Sequence, residues 1–167
     1  MTTARTSLAR RLTAPAVALL AGTGIALAPG IAQANTSGGT AVAAAPAVAP
    51  NQAAQTAVDT ALAQQGKPYA WGGAGPNSFD CSGLAQFAYA AAGVSLPHSS
   101  RTQSTLGVPV GRANLQPGDL VFFYSPVSHV AIYIGNGQIV QASTYGQPVA
   151  VTNLDYMPGY NSARRIV

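Results

Sequence analysis

Residues 51–167 of this 167-residue chain predict an α+β domain, on three observations. Apolar residues recur at helical spacing in the first half of that stretch. After Asp119 the pattern changes to short runs rich in β-branched and aromatic residues. Between two of those runs lies Gly135-Asn136-Gly137, a strong hairpin signal. Helices first and an antiparallel sheet afterward is the order of an α+β domain, and the length suits one core.

The first helix is expected over 51–65, where Ala54, Val58, Ala61 and Leu62 share a face and Asn51 offers an N-cap. Gly66 and Pro68 stop it. From Tyr69 to Asn77 the chain is rich in glycine and reads as a loop holding Tyr69 and Trp71. A second helix should start after Asp80, whose carboxylate can accept from first-turn amides, and run through Leu84, Phe87 and Ala91 to a Gly93 cap. Cys81 is then its first residue. A short third helix is expected over 99–106. The strands follow at 120–124, 129–134, 139–143, 148–152 and 163–167, and no internal repeat is visible.

Ahead of this domain the composition differs. Arg5, Arg10 and Arg11 precede a small, apolar stretch from Ala14 to about Ala28, and Ala32-Gln33-Ala34 follows. These are the parts of a secretory signal peptide, residues 1–34, with cleavage expected before Asn35. The competing reading, a membrane anchor, needs roughly 20 uninterrupted apolar residues, and here Gly22, Gly24, Pro29 and Gly30 interrupt the run. Residues 35–50, mostly Ala, Val, Gly, Thr and Pro, read as a low-complexity linker. Once the signal is removed, five Lys and Arg minus four Asp leave a charge of +1. Lys67, Arg101, Arg112, Arg164 and Arg165 form no run, so no nucleic-acid footprint is present. No cofactor is implied, and one Cys with two His falls short of a zinc site.

Cys81 is the only cysteine and cannot form an internal disulfide. The usual fate of such a thiol is that of a small buried apolar residue. A helix start favours the alternative, because the first-turn amides and the macrodipole stabilise a thiolate there, and a histidine would stabilise it further. His129 opens an apolar strand and is a better base than His98, which sits in a Ser-rich loop after Pro97. A base also needs an orienting group on its second ring nitrogen. Gln141 can serve if it shares a face with His129. A two-residue Asn136-Gly137 turn would pair Ile132 with Gln141 and put the two side chains on opposite faces. A three-residue Gly135-Asn136-Gly137 loop with a glycine bulge puts them on one face, and that form is expected.

Five segments, in order, resemble the NlpC-like family of cell-wall endopeptidases. They are Gly66-Lys67-Pro68-Tyr69-Ala70-Trp71-Gly72-Gly73, Phe79-Asp80-Cys81-Ser82-Gly83-Leu84, Leu96-Pro97, Pro117-Gly118-Asp119-Leu120-Val121-Phe122-Phe123, and the stretch from Ser128 to Gly137. The resemblance covers nearly all of 53–167. It implies a papain-like fold, with Cys81 as nucleophile, His129 as base and Gln141 orienting the ring. It further implies that Tyr69 lines the centre and that Asp80 and Ser82 contact substrate. Core packing is the competing reading for Tyr69 and more so for Trp71; for Asp80 it is helix capping alone. The implied substrate is the peptide stem of peptidoglycan, cut between D-glutamate and diaminopimelate or lysine by a secreted, wall-associated monomer with no lasting membrane insertion. Another cysteine-dependent amidase or acyltransferase, or a non-catalytic wall-binding module, are the alternatives. Two positions depart from the family pattern: glutamine stands where histidine is usual at the third catalytic position, and His98 stands where arginine is usual.

Overall fold

The computed structural model describes residues 50–167. The expected signal peptide, 1–34, and the linker, 35–50, lie outside the described residues except for Pro50.

Helix α1 spans Pro50–Leu62. It begins on a proline, whose missing N–H is no loss at a first helical position, so Asn51 lies inside the helix and is not its cap. Its buried face is Ala53, Ala57, Val58 and Ala61. The helix ends three residues before the expected Gln65, because bonds such as Gln64 N to Ala61 O (3.0 Å) and Gln65 N to Leu62 O (3.2 Å) tighten the chain into successive turns. Helix α2, Cys81–Ala91, starts where expected, capped by Asp80. It closes through Gly93 in the left-handed region at φ 77°, with Val94 N bonded to Tyr89 O at 2.9 Å. Helix α3 is shorter than expected, Ser100–Gln103, and is capped by Ser99.

Six strands form one antiparallel sheet in the order β1-β6-β2-β3-β4-β5. They are β1 Val108–Pro109, β2 Leu120–Phe123, β3 His129–Gly135, β4 Gln138–Gln141, β5 Ala150–Asn153 and β6 Tyr160–Arg165. Strand β1 was not expected from the sequence; two residues, one of them proline, leave no periodicity to read, and an edge is where proline is tolerated. The last strand begins at Tyr160, earlier than Ala163, because it pairs along all of β2.

The hairpin between β3 and β4 combines two arrangements that the sequence presents as alternatives. Gly135 pairs with Gln138 across Asn136-Gly137, a tight turn with φ 52° and 70°. A register shift between Tyr133 and Gly135 then restores the pairings Ile132 with Val140 and Tyr133 with Ile139. The shift leaves Ile134 without a partner in β4, and the backbone recovers at Gly135, where φ is 97°, a value that glycine adopts without strain. His129 and Gln141 therefore share a face, as the expected three-residue form requires, although the turn itself is the tight one.

Alternation along the strands divides the core between the two faces of the sheet. Leu120, Phe122, Val130, Ile132 and Val140 pack with Ala57, Ala61, Leu84, Ala85 and Ala88 of the two long helices. Val121, Phe123, Ala131, Ile139 and Ala163 pack on the opposite face beneath Leu154 and Met157. The chain's end is tied in through Asp119, buried and gripped by Arg165 at 2.8 Å through both Nε and Nη2. Among the described residues no helix is long and apolar enough to cross a membrane.

Candidate active site

Cys81 owes its position to the residues around it. The Asp80 carboxylate accepts from Gly83 N at 2.7 Å and from Ser82 Oγ at 3.1 Å, which fixes the first turn of α2, and from Gly72 N at 2.9 Å, which joins that turn to the glycine-rich loop. The loop and helix approach so closely that a Cβ on Gly83 would collide with the carbonyl oxygen of Gly73. Only glycine fits there.

The half-buried thiol of Cys81 reaches the start of β3, where the amide of Val130, next to His129, interacts with it. Burial pushes the thiol above its ordinary value. The Val130, Ser82 and Cys81 amides oppose this, and the Asp80 carboxylate adds to it. The balance runs against the sequence expectation of a lowered pKa, because desolvation outweighs the first-turn amides. Burial also pushes His129 below its ordinary value, and the hydrogen bond that its ring donates to Gln141 opposes that shift. In the folded protein both groups therefore favour their neutral forms.

His129 and Gln141 are 6% and 8% exposed, and His129 Nε2 lies 2.7 Å from Gln141 Oε1. Gln141 Nε2 is directed at the thioether of Met157, 3.3 Å away. A thioether can only accept, so the amide's NH2 belongs on that side and its carbonyl faces the ring. His129 Nε2 must then carry the proton, which leaves Nδ1 with the free lone pair. Met157 has no motif around it, and this contact with Gln141 was not readable from the sequence.

Beside the thiol is a cleft of about 280 Å³ lined by Trp71, Gly72, Asp80, Cys81, Ser82, His98, Ser99, Ser100 and Ser128. The residues expected to touch substrate, Asp80 and Ser82, are in its wall. Tyr69 is adjacent: burial and then the charges of Cys81 and Asp80 push its phenol upward, and its ring meets Tyr145 edge-on at 5.1 Å. Trp71 is not core. It is 81% exposed, held at the rim by backbone bonds of the glycine-rich loop that leave its ring outside.

His98, passed over as a base, instead binds Asp80. Its Nε2 lies 2.8 and 2.9 Å from the two carboxylate oxygens. The loop that carries it is pinned by buried Gln103, whose Nε2 donates to Pro97 O at 2.8 Å and to Ser82 O at 3.0 Å. The signal that could have found this contact was His98 itself, a side chain able to donate to a carboxylate, at a position that departs from the family's usual arginine. Among the described residues no group of three His, Cys, Asp or Glu is placed to hold a metal ion.

Residues 66–163 match the NlpC/P60 family. A probable endopeptidase of Mycobacterium tuberculosis is 53% identical over 108 residues, which are 65% of this chain and 28% of the relative. A probable endopeptidase of Corynebacterium glutamicum is 46% identical over 121 residues, 72% of this chain and 56% of the relative. The chain thus spans less than two thirds of the length of either relative. Among solved structures, the peptidoglycan hydrolase RipB of Mycobacterium tuberculosis superposes with a TM-score of 0.67 at 33% identity, covering 80% of this chain and 74% of that one. A family protein from Bacillus cereus gives 0.64 at 36% identity, covering 67% and 39%.

Proposed function

The chain belongs to the NlpC/P60 family, and from that premise we propose that it is an exported cysteine peptidase that cuts the stem peptide of peptidoglycan, between D-glutamate and diaminopimelate or lysine. One observation carries the reading. A lone thiol at the start of α2 meets the start of β3 next to a buried histidine, and Gln141 holds that histidine's Nε2 proton. An inert core cysteine needs no such neighbour.

Each residue has a role in this scheme. Nδ1 of His129 takes the proton from Cys81 as sulfur adds to the amide carbonyl, so a neutral pair becomes thiolate and imidazolium only as the bond forms. Gln141 accepts from Nε2–H throughout and steadies the charged ring. The Cys81 amide, which has no intrahelical partner at the helix start, donates to the developing oxyanion. The imidazolium then protonates the departing amine, and water, activated by the same ring, hydrolyses the thioester. Asp80, Ser82 and Tyr69 line the approach. The segment 1–34 supplies export, and the released enzyme works as a wall-associated monomer.

Digestion of purified peptidoglycan, with mass spectrometry of the products, identifies the bond. Cleavage at D-glutamyl stems by the wild type and none by Cys81→Ala is the expected result. Unchanged digestion by Cys81→Ala would overturn the reading, and release at another bond would move the chain to a different amidase class.

A further inference from the structure

We propose that His98 is a positioning residue for the reacting thiol: it holds the Asp80 carboxylate and, as imidazolium, offsets that carboxylate's charge beside Cys81. The proposal rests on Cys81 being the nucleophile.

Asp80 is buried, and every other donor to it is neutral: the amides of Gly72 and Gly83 and the hydroxyl of Ser82. His98 alone can bring a compensating charge, and its Nε2 is placed within 2.9 Å of both oxygens. The placement does not depend on a free loop, because Gln103 fastens Pro97 to Ser82. Asp80 immediately precedes Cys81, so its charge acts at short range on any negative sulfur, and it pushes the thiol upward. The titratable groups gathered here are Asp80 and Cys81 at the start of α2, His98 from the loop before α3 and Tyr69 from the glycine-rich loop; His129 stands next to Val130, whose amide meets the thiol. None but the two histidines can become positive, and His129 is occupied with Gln141. An arginine at this position would carry a fixed charge, whereas an imidazole carries one only in its cationic form.

Alkylation of Cys81 by iodoacetamide across pH, with wall digestion in parallel, tests this. His98→Gln keeps a donor for Asp80 and removes the charge, so alkylation near neutral pH should slow roughly threefold or more. His98→Arg should alkylate at the wild-type rate or faster on the alkaline side. Removing the unbalanced carboxylate as well, in the double variant Asp80→Asn with His98→Gln, should restore the rate, which a purely structural role for His98 does not predict. Superimposable profiles for wild type and His98→Gln overturn the proposal, as does a double variant no faster than His98→Gln. Either result leaves the nucleophile reading intact as long as Cys81→Ala abolishes digestion.

Discussion

Replacing Gln141 with alanine removes the acceptor that faces His129 Nε2 at 2.7 Å. Both side chains are buried, so water does not readily take the vacated place, and a buried donor left unpaired costs about 1–3 kcal/mol. The cost is greater once the ring is charged, as it is during acyl transfer, so it falls on the barrier and not only on the folded state. At about 1.4 kcal/mol per tenfold, kcat/KM for a soluble stem peptide should drop roughly 5- to 150-fold. Gln141→His keeps an acceptor for Nε2–H and should recover most of that loss. Gln141→Glu places a carboxylate against the ring and should move the acid limb of the pH–rate profile upward, from below the ordinary histidine value of 6.5. Steady-state kinetics from pH 5 to 9, with circular dichroism to confirm folding, reads all three variants. A folded Gln141→Ala within twofold of wild type, with an unmoved acid limb, would refute the claim that Gln141 orients the base.

Stability should have a pH plateau with two declines. His129 is depressed below 6.5, so the unfolded chain binds that proton more readily; its contribution is complete above 6.5 and is lost as pH falls through the folded value. Cys81 is raised above 9.0, so its contribution is complete below 9.0 and is lost as pH rises through the folded value. Thermal unfolding of Cys81→Ala should show a shallower alkaline decline than wild type, and an identical alkaline limb would contradict the assignment. Gly83→Ala drives a Cβ into the Gly73 carbonyl and should cost about 3 kcal/mol by chemical denaturation, with loss of wall digestion as the helix start shifts. Arg165→Ala leaves the buried Asp119 carboxylate with the Gln116 amide, 2.8 Å away, as its remaining donor. Arg165 is itself partly exposed, so the expected loss is about 2–3 kcal/mol, at the low end for breaking a buried pair.

The parts of the site readable in the sequence were those fixed by local rules. Asp80 had to cap a helix, so Cys81 had to begin one, and the two-residue period of strands let the His129–Gln141 relation be reduced to a question about one turn. The remainder depended on contacts between distant segments. His98 and Asp80 are eighteen residues apart in sequence, and nothing local brings the Pro97 loop back over the helix start; a buried glutamine does so. Trp71 looked like core because aromatic residues usually are, but the neighbouring glycines pack backbone against backbone at Gly73 and Gly83 and leave no space for an indole. The direction of the Cys81 shift was misjudged for a related reason. Helix-start amides can be inferred from sequence, whereas the depth at which the sulfur sits cannot.

The extra residue between Tyr133 and Gly135 gives the β3–β4 connection an arithmetic property. A side chain's face depends on whether its residue count from the turn is odd or even, so this loop tolerates changes of length only in pairs. Deleting Gly135 alone would preserve every side chain of the site and still turn Gln141 toward the helices, away from His129. Adding or removing two residues would return it to the correct face, one pleat along the strand. Indel tolerance in this hairpin should therefore alternate with parity, though no residue of the turn belongs to the chemistry.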